Sequence, residues 1–215
     1  MKKTLLLFSS LFIISLTALF SQGVDYSKLG IETTDSHIPK GLKEGEKAPD
    51  FTGYDQAGKQ VTLKGLLKNG PVVLFFYRGN WCPTCNKQLE SLKDSVNLIT
   101  DQGFSLVAIT PEMIEFVEQT VKLHNINYTV IYDCQEKIMK DYDVMFSVTK
   151  DFQDLVQKSL KIDIAEHNGH APAHLPVTAT FIINREGIIT ATHFNPDFHN
   201  RASVNWIIRN MGSAL

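Results

Sequence analysis

Apolar residues are grouped along this chain in two distinct periods, and they alternate. Val72-Val73-Leu74-Phe75-Phe76-Tyr77 is an unbroken apolar run of β-branched and aromatic residues, the pattern of a central strand buried on both faces of a sheet. Phe51-Thr52-Gly53-Tyr54 and Val61-Thr62-Leu63 flank the turn-like Asp55-Gln56-Ala57-Gly58, which predicts a short hairpin. Leu89, Leu92, Val96 and Leu98 recur at helical spacing within Asn86 to Ile99, predicting one helix there. Ser105 to Ile109 and Tyr128 to Tyr132 read as further strands. Pro111 suits the opening of a helix from Glu112 to His124, and Gln135 to Tyr142 and Phe152 to Leu160 read as helices. Glu166 to His174 reads as a loop. Thr180 to Ile183 and Ile188 to His193 form two strands around Asn184-Arg185-Glu186-Gly187, and Ala202 to Met211 closes as a helix. Strands alternating with helices, followed by a hairpin and a last helix, predict an α/β domain with a mixed sheet and helices on both faces.

The two ends of the chain differ from this body. Lys2 and Lys3 precede an apolar run from Leu5 to Phe20, then Ser21 and Gln22. That order reads as a signal peptide over residues 1–21, cleaved near Ser21, and hence as an exported chain, periplasmic or secreted. The run falls short of the ~20 residues of a spanning helix, so no stable membrane insertion is expected after cleavage. Residues 22–44 are polar and aperiodic, an expected linker or irregular arm, and 45–215 is expected to be one domain. The whole is 215 residues with 43% apolar and 20% charged content, ordinary for a globular protein. A formal net charge of -2, with no cluster of Lys and Arg, argues against a nucleic-acid partner.

Three cysteines remain, Cys82, Cys85 and Cys134. Cys82 and Cys85 are two residues apart where the apolar strand feeds a helix. One helical turn brings such a pair within disulfide reach. A helix N-terminus also offers free N–H groups and a positive dipole end, both of which favour a thiolate. Pro83, without an N–H, suits the first turn. Arg78, four residues earlier, is a candidate to tune the sulfurs, and Trp81 is either a pocket wall or simple packing. A static disulfide over so short a loop gains little. Zinc needs about four ligands; His167, His170 and His174 are the candidates to complete a site with the pair, yet their distant loop makes solvated histidines the simpler reading. No cofactor or metal is expected. Cys134 follows a predicted parallel strand and so shares the sheet edge of the motif, either as a resolving thiol or as a small residue at a helix start.

Phe76-Tyr77-Arg78-Gly79-Asn80-Trp81-Cys82-Pro83-Thr84-Cys85 resembles the peroxiredoxin-like branch of the alkyl hydroperoxide reductase and thiol-specific antioxidant family. Ala48-Pro49-Asp50-Phe51, Leu175-Pro176-Val177, Ala179 to Ile183 and Asn195-Pro196-Asp197-Phe198 resemble other segments of that branch. The resemblance implies a thioredoxin-like fold, a hydroperoxide substrate and a thioredoxin-like or other thiol reductant, with Cys82, Cys85 and Arg78 as site residues. It also implies departures. Counting from Phe76-Tyr77, the family's Pro falls on Arg78, its Thr on Cys82 and its attacking Cys on Cys85, while its later-strand Arg falls near Thr178. By the thioredoxin pattern the attacking Cys is Cys82, and the cis-Pro position again falls on Thr178. A peroxidase and a thiol–disulfide oxidoreductase acting on exported proteins both fit the pair.

Overall fold

A computed structural model describes residues 24–34 and 36–215; the expected signal segment lies outside the described residues. Chain order runs through a hairpin, β1 (Thr52–Asp55) and β2 (Gln60–Thr62), then α1 (Leu63–Leu67), β3 (Val72–Phe76), α2 (Pro83–Asp94) and α3 (Asn97–Thr100). It continues with β4 (Ser105–Thr110), α4 (Ile114–His124), β5 (Thr129–Tyr132), α5 (Lys137–Asp141), β6 (Met145–Ser147), α6 (Lys150–Leu160) and α7 (Ile164–Asn168). Last come β7 (His174–Pro176), β8 (Thr180–Ile183), β9 (Ile189–His193) and α8 (Val204–Met211). Seven strands form one mixed sheet in the order β2-β1-β5-β4-β3-β8-β9. β3 pairs parallel with β4 and antiparallel with β8, so it lies in the sheet interior.

Every residue of β3 is buried, and its two-residue period divides the core. Val73, Phe75 and Tyr77 face Leu89 and Leu92 of α2, Val117 of α4 and Ile207 of α8. Val72, Leu74 and Phe76 face Leu63 of α1, Ile138 and Met139 of α5 and the Tyr142 ring. A strand covered on both sides must be apolar at every position, as the unbroken run is.

Three elements depart from the sequence expectation, each for a local reason. The helix read over Asn86 to Ile99 breaks at Ser95 (φ -114°, ψ 7°). Ser95, Val96 and Asn97 are weak helix formers, and the kink turns Val96 and Ile99 inward while Leu98 stays 53% exposed. The helix read from Glu112 starts instead at Ile114, because Met113 is extended and Glu112 turns into the interior. The loop read over Glu166 to His174 contains the end of α7 and the start of β7. Asp163 caps α7 by accepting from the Glu166 N–H, and β7 pairs with β6 in a separate two-stranded sheet. The described residues of 24–34 and 36–44 include one 3-10 turn, Tyr26–Leu29, and dock on the body through an Ile31–Val148 bridge and a Gly41 N–H bond to the Asp143 carbonyl. Among the described residues, no helix is long and apolar enough to cross a membrane.

Candidate active site

The dithiol sits where β3 ends and α2 begins. Cys82 is the N-cap of α2 with extended backbone (φ -90°, ψ 108°), Pro83 opens the first turn, and Cys85 is the third helical residue. Both thiols are free and both are enclosed, Cys82 at 1% and Cys85 at 0% exposure. The Arg78 backbone N–H points at the Cys85 sulfur at 3.4 Å. Its side chain returns over the motif, with Nη2 at 3.7 Å from the Cys82 sulfur.

A second guanidinium reaches the pair from the far end of the chain. Arg201 Nη2 lies 3.3 Å from the Cys85 sulfur and 4.0 Å from that of Cys82. Arg201 is locked in place by Nη1 donating to Gln88 Oε1 and Nε to the Phe198 carbonyl, both at 2.7 Å. Sequence reasoning missed this residue. The family resemblance puts a strand arginine near Thr178; the cation instead comes from the irregular segment between β9 and α8.

Charge balance decides which sulfur ionises. Arg78 is 3% exposed, and among the described residues it makes no salt bridge. Its guanidinium lies 3.6 Å from the Phe198 ring centre and 5.3 Å from that of Phe152, with Trp81 at 5.6 Å. Aromatic faces offset part of the cost of burying this cation, but an enclosed charge demands an opposite one. Cys82 supplies it. The Cys85 thiol donating to its sulfur, then Arg78, the Cys85 N–H and Arg201, outweigh burial and lower Cys82 from 9.0 to about 5. Burial pushes Cys85 well above the usual thiol range, and the neighbouring Cys82 sulfur adds to the rise. Arg201 is nearer Cys85, yet a second thiolate beside the first, fully out of water, is the costlier state.

The turn before the motif is braced by a buried acid. Glu112, 0% exposed, accepts from the Asn80 N–H through both oxygens at 3.0 and 2.9 Å. Burial raises its pKa, opposed by His167 and by the Asn80 N–H. Gly79 is required here for space: a Cβ would meet Trp81 Nε1 at 2.4 Å and Glu112 Oε1 at 2.7 Å. His167 Nδ1 is 3.6 Å from Glu112 and its ring stacks on Phe116 at 3.9 Å.

The other sequence candidates lie apart from the sulfurs. His170 and His174 gather on Glu136, not on the cysteines. Cys134 follows β5, which is separated from β3 by β4. It is exposed, and partial burial and Asp133 raise its pKa, the opposite of an activated thiol. Thr178 is buried with its hydroxyl unpartnered among the described residues.

A dithiol at the N-terminus of the helix that follows the central strand, in a mixed sheet covered on both faces, defines the thioredoxin-like class. The chain belongs to the AhpC/TSA family, whose sequence profile matches residues 45–192. It is 26% identical over 161 residues to the chloroplastic peroxiredoxin Q of Suaeda salsa, covering 74% of this chain and 64% of that protein. Over 104 residues it is 29% identical to the thiol-disulfide oxidoreductase ResA of Bacillus subtilis (strain 168), covering 48% of this chain and 57% of that one. The chain thus spans less than two thirds of the length of these curated relatives. Peroxidoxin BcpB from Mycobacterium tuberculosis superposes with a TM-score of 0.63 at 20% identity, over 81% of this chain and 99% of that one. A peroxiredoxin-like protein from Aquifex aeolicus gives 0.63 at 16%, over 83% and 91%; both likenesses establish the fold.

Proposed function

We propose that the chain is a thiol-dependent peroxidase that reduces hydroperoxides through Cys82 and Cys85. The observation that carries this is the convergence of Arg78 and Arg201 on two free sulfurs, with no carboxylate bonded to either cation among the described residues. The Cys82 thiolate attacks a peroxide oxygen, the O–O bond breaks, and the alkoxide leaves and takes a proton from water. Both guanidiniums are placed to stabilise the charge as it moves onto that oxygen. Cys82 is left as a sulfenic acid. The Cys85 sulfur attacks it, the S–S bond forms, and hydroxide leaves as water with the Cys85 proton. Two electrons from a thioredoxin-like or other thiol donor then restore the dithiol.

Stopped-flow oxidation of the reduced protein by hydrogen peroxide tests the reading. We expect a rate far above that of a free thiol, lost in Cys82→Ser, with Cys85→Ser arrested at a sulfenic acid that a dimedone probe traps. Oxidation no faster than a free thiol removes the proposal. The second reading, a thiol–disulfide oxidoreductase for exported proteins, draws on the lowered Cys82 beside a raised Cys85 and on the likeness to ResA. Faster reaction with a protein disulfide than with peroxide selects it. Residues 1–21 act, in this proposal, as a removed export signal; N-terminal sequencing of the mature chain that begins at Met1 would refute that part.

A further inference from the structure

Away from the sulfurs, three donor atoms that suit a transition metal meet between the start of α5 and the segment leading into β7. We propose that Glu136, His170 and His174 bind one divalent ion of the zinc type. Their ligand atoms all lie within 4.8 Å of one another. His174 Nδ1 is 2.7 Å and His170 Nε2 3.2 Å from Glu136 Oε1. Bonds of about 2.0–2.2 Å to zinc put neighbouring ligand atoms roughly 3–3.5 Å apart, so the cluster needs movements of about 1 Å or less to close on an ion.

Two further features mark a ligand site rather than a simple hydrogen-bonded cluster. His170 Nε2 is enclosed and close to the carboxylate, yet among the described residues it makes no hydrogen bond. A buried ring nitrogen without a partner is costly, and a metal is the partner that accepts its lone pair. Glu136 itself is 6% exposed and held in the left-handed region at φ 58°, a conformation rare for a non-glycine residue and common at binding sites.

The surroundings hold all three in place. Glu136 N–H donates to the Asp133 carbonyl at 2.8 Å, and His170 N–H to that of Ala165 at 3.0 Å. Asn168 Nδ2 donates to the His174 carbonyl at 2.8 Å. Lys140 Nζ sits 3.3 Å from Glu136 Oε2 and opposes an ion electrostatically, but its side chain is half exposed and it leaves Oε1 to the imidazoles. Binding requires His174 to move its proton from Nδ1 to Nε2, since the ligand is the neutral ring. Two imidazoles and one carboxylate leave at least one position for water, the donor set of an open zinc site. An ion there would tie α5 to the segment that carries His167, whose carbonyl accepts from the Met113 N–H beside Glu112 at 3.0 Å.

Zinc titration of the full chain carrying Cys82→Ser and Cys85→Ser, which removes the competing thiolates, tests the site. The disulfide form of the wild-type chain is the second host if that variant does not fold. We expect one ion per chain, with binding weakened at least tenfold in His170→Ala and in Glu136→Gln and unchanged in His167→Ala. A hundredfold excess of zinc over Kd should raise the melting midpoint by about 5–10 °C. Cobalt in the same site should give visible ligand-field bands without near-ultraviolet thiolate absorption. No retained ion in either host, binding indifferent to His170→Ala and Glu136→Gln, or a thiolate band from Cys134 each overturns the proposal.

Discussion

Replacing Arg201 by Met removes one cation from the dithiol while keeping a side chain of similar length. Its Nη2 is 4.0 Å from the Cys82 sulfur, where two unit charges interact by about 4 kcal/mol at an effective dielectric of about 20. Arg201 is partly exposed, and solvent screening reduces this by roughly half. The remaining ~2 kcal/mol corresponds to a rise of about one to two pKa units. Cys82, lowered to about 5 in the intact site, then titrates between roughly 6 and 7, and the thiolate fraction at pH 6 falls from about nine-tenths to between about one-half and one-tenth. The ultraviolet absorbance of the thiolate, followed against pH in the reduced protein, reads this directly, and iodoacetamide alkylation provides a second measure. Arg201→Lys, which retains the charge, separates electrostatics from the lost bond to Gln88. An Arg201→Met titration within about 0.3 units of wild type, or an Arg201→Lys shift as large, refutes the charge argument.

Four other expectations follow from the structure. With Cys82 ionised above about pH 5 and Cys85 raised, reduction consumes one proton at neutral pH. The potential should therefore fall by ~30 mV per pH unit, steepening to ~60 mV below the Cys82 pKa; a slope of ~60 mV through pH 7 contradicts the assignment. Because folding depresses the Cys82 pKa from 9.0 to about 5, the thiolate stabilises the reduced fold fully above about pH 9 and progressively less as pH falls through about 5. Denaturant titrations across that range should show this dependence in the reduced protein and not in the disulfide form. Gly79→Ala forces a methyl group onto Trp81 and Glu112 and should cost about 1–3 kcal/mol, a melting midpoint lower by roughly 2–12 °C; an unchanged midpoint means the turn relaxes freely. Cys134→Ser, at an exposed sulfur with a raised pKa, should leave turnover within about twofold, and a loss beyond tenfold would make it a resolving thiol.

The sequence was informative wherever one local pattern decided the outcome. The apolar run of β3, the hairpin before it and the Cys-x-x-Cys at a strand-to-helix junction follow from period and spacing, and Arg78 is only four residues from Cys82. The residues that reading missed depend on distant contacts. Arg201 is 116 residues from Cys85 and sits in a segment with no period to read. Glu112 looks like a first helical residue until its partner, the Asn80 N–H, is known. His170 and His174 stand out by composition, but Glu136 reaches them from a different turn. The α7 start, by contrast, carried a local signal: Asp163-x-x-Glu166 is a capping-box spacing with Asp163 in the capping role.

Among the described residues no acid is salt-bridged to Arg78 or Arg201, and this bears on the proposed turnover. Once the sulfurs are joined, the Cys82 thiolate is lost while both cations remain. The oxidised pocket is then more positive than the reduced one by a full charge. In the proposed cycle, an incoming thiolate donor is therefore drawn to the pocket while there is a bond to cleave, and the attraction weakens once Cys82 regains its charge, so the two arginines that hold the nucleophile ready would also favour release.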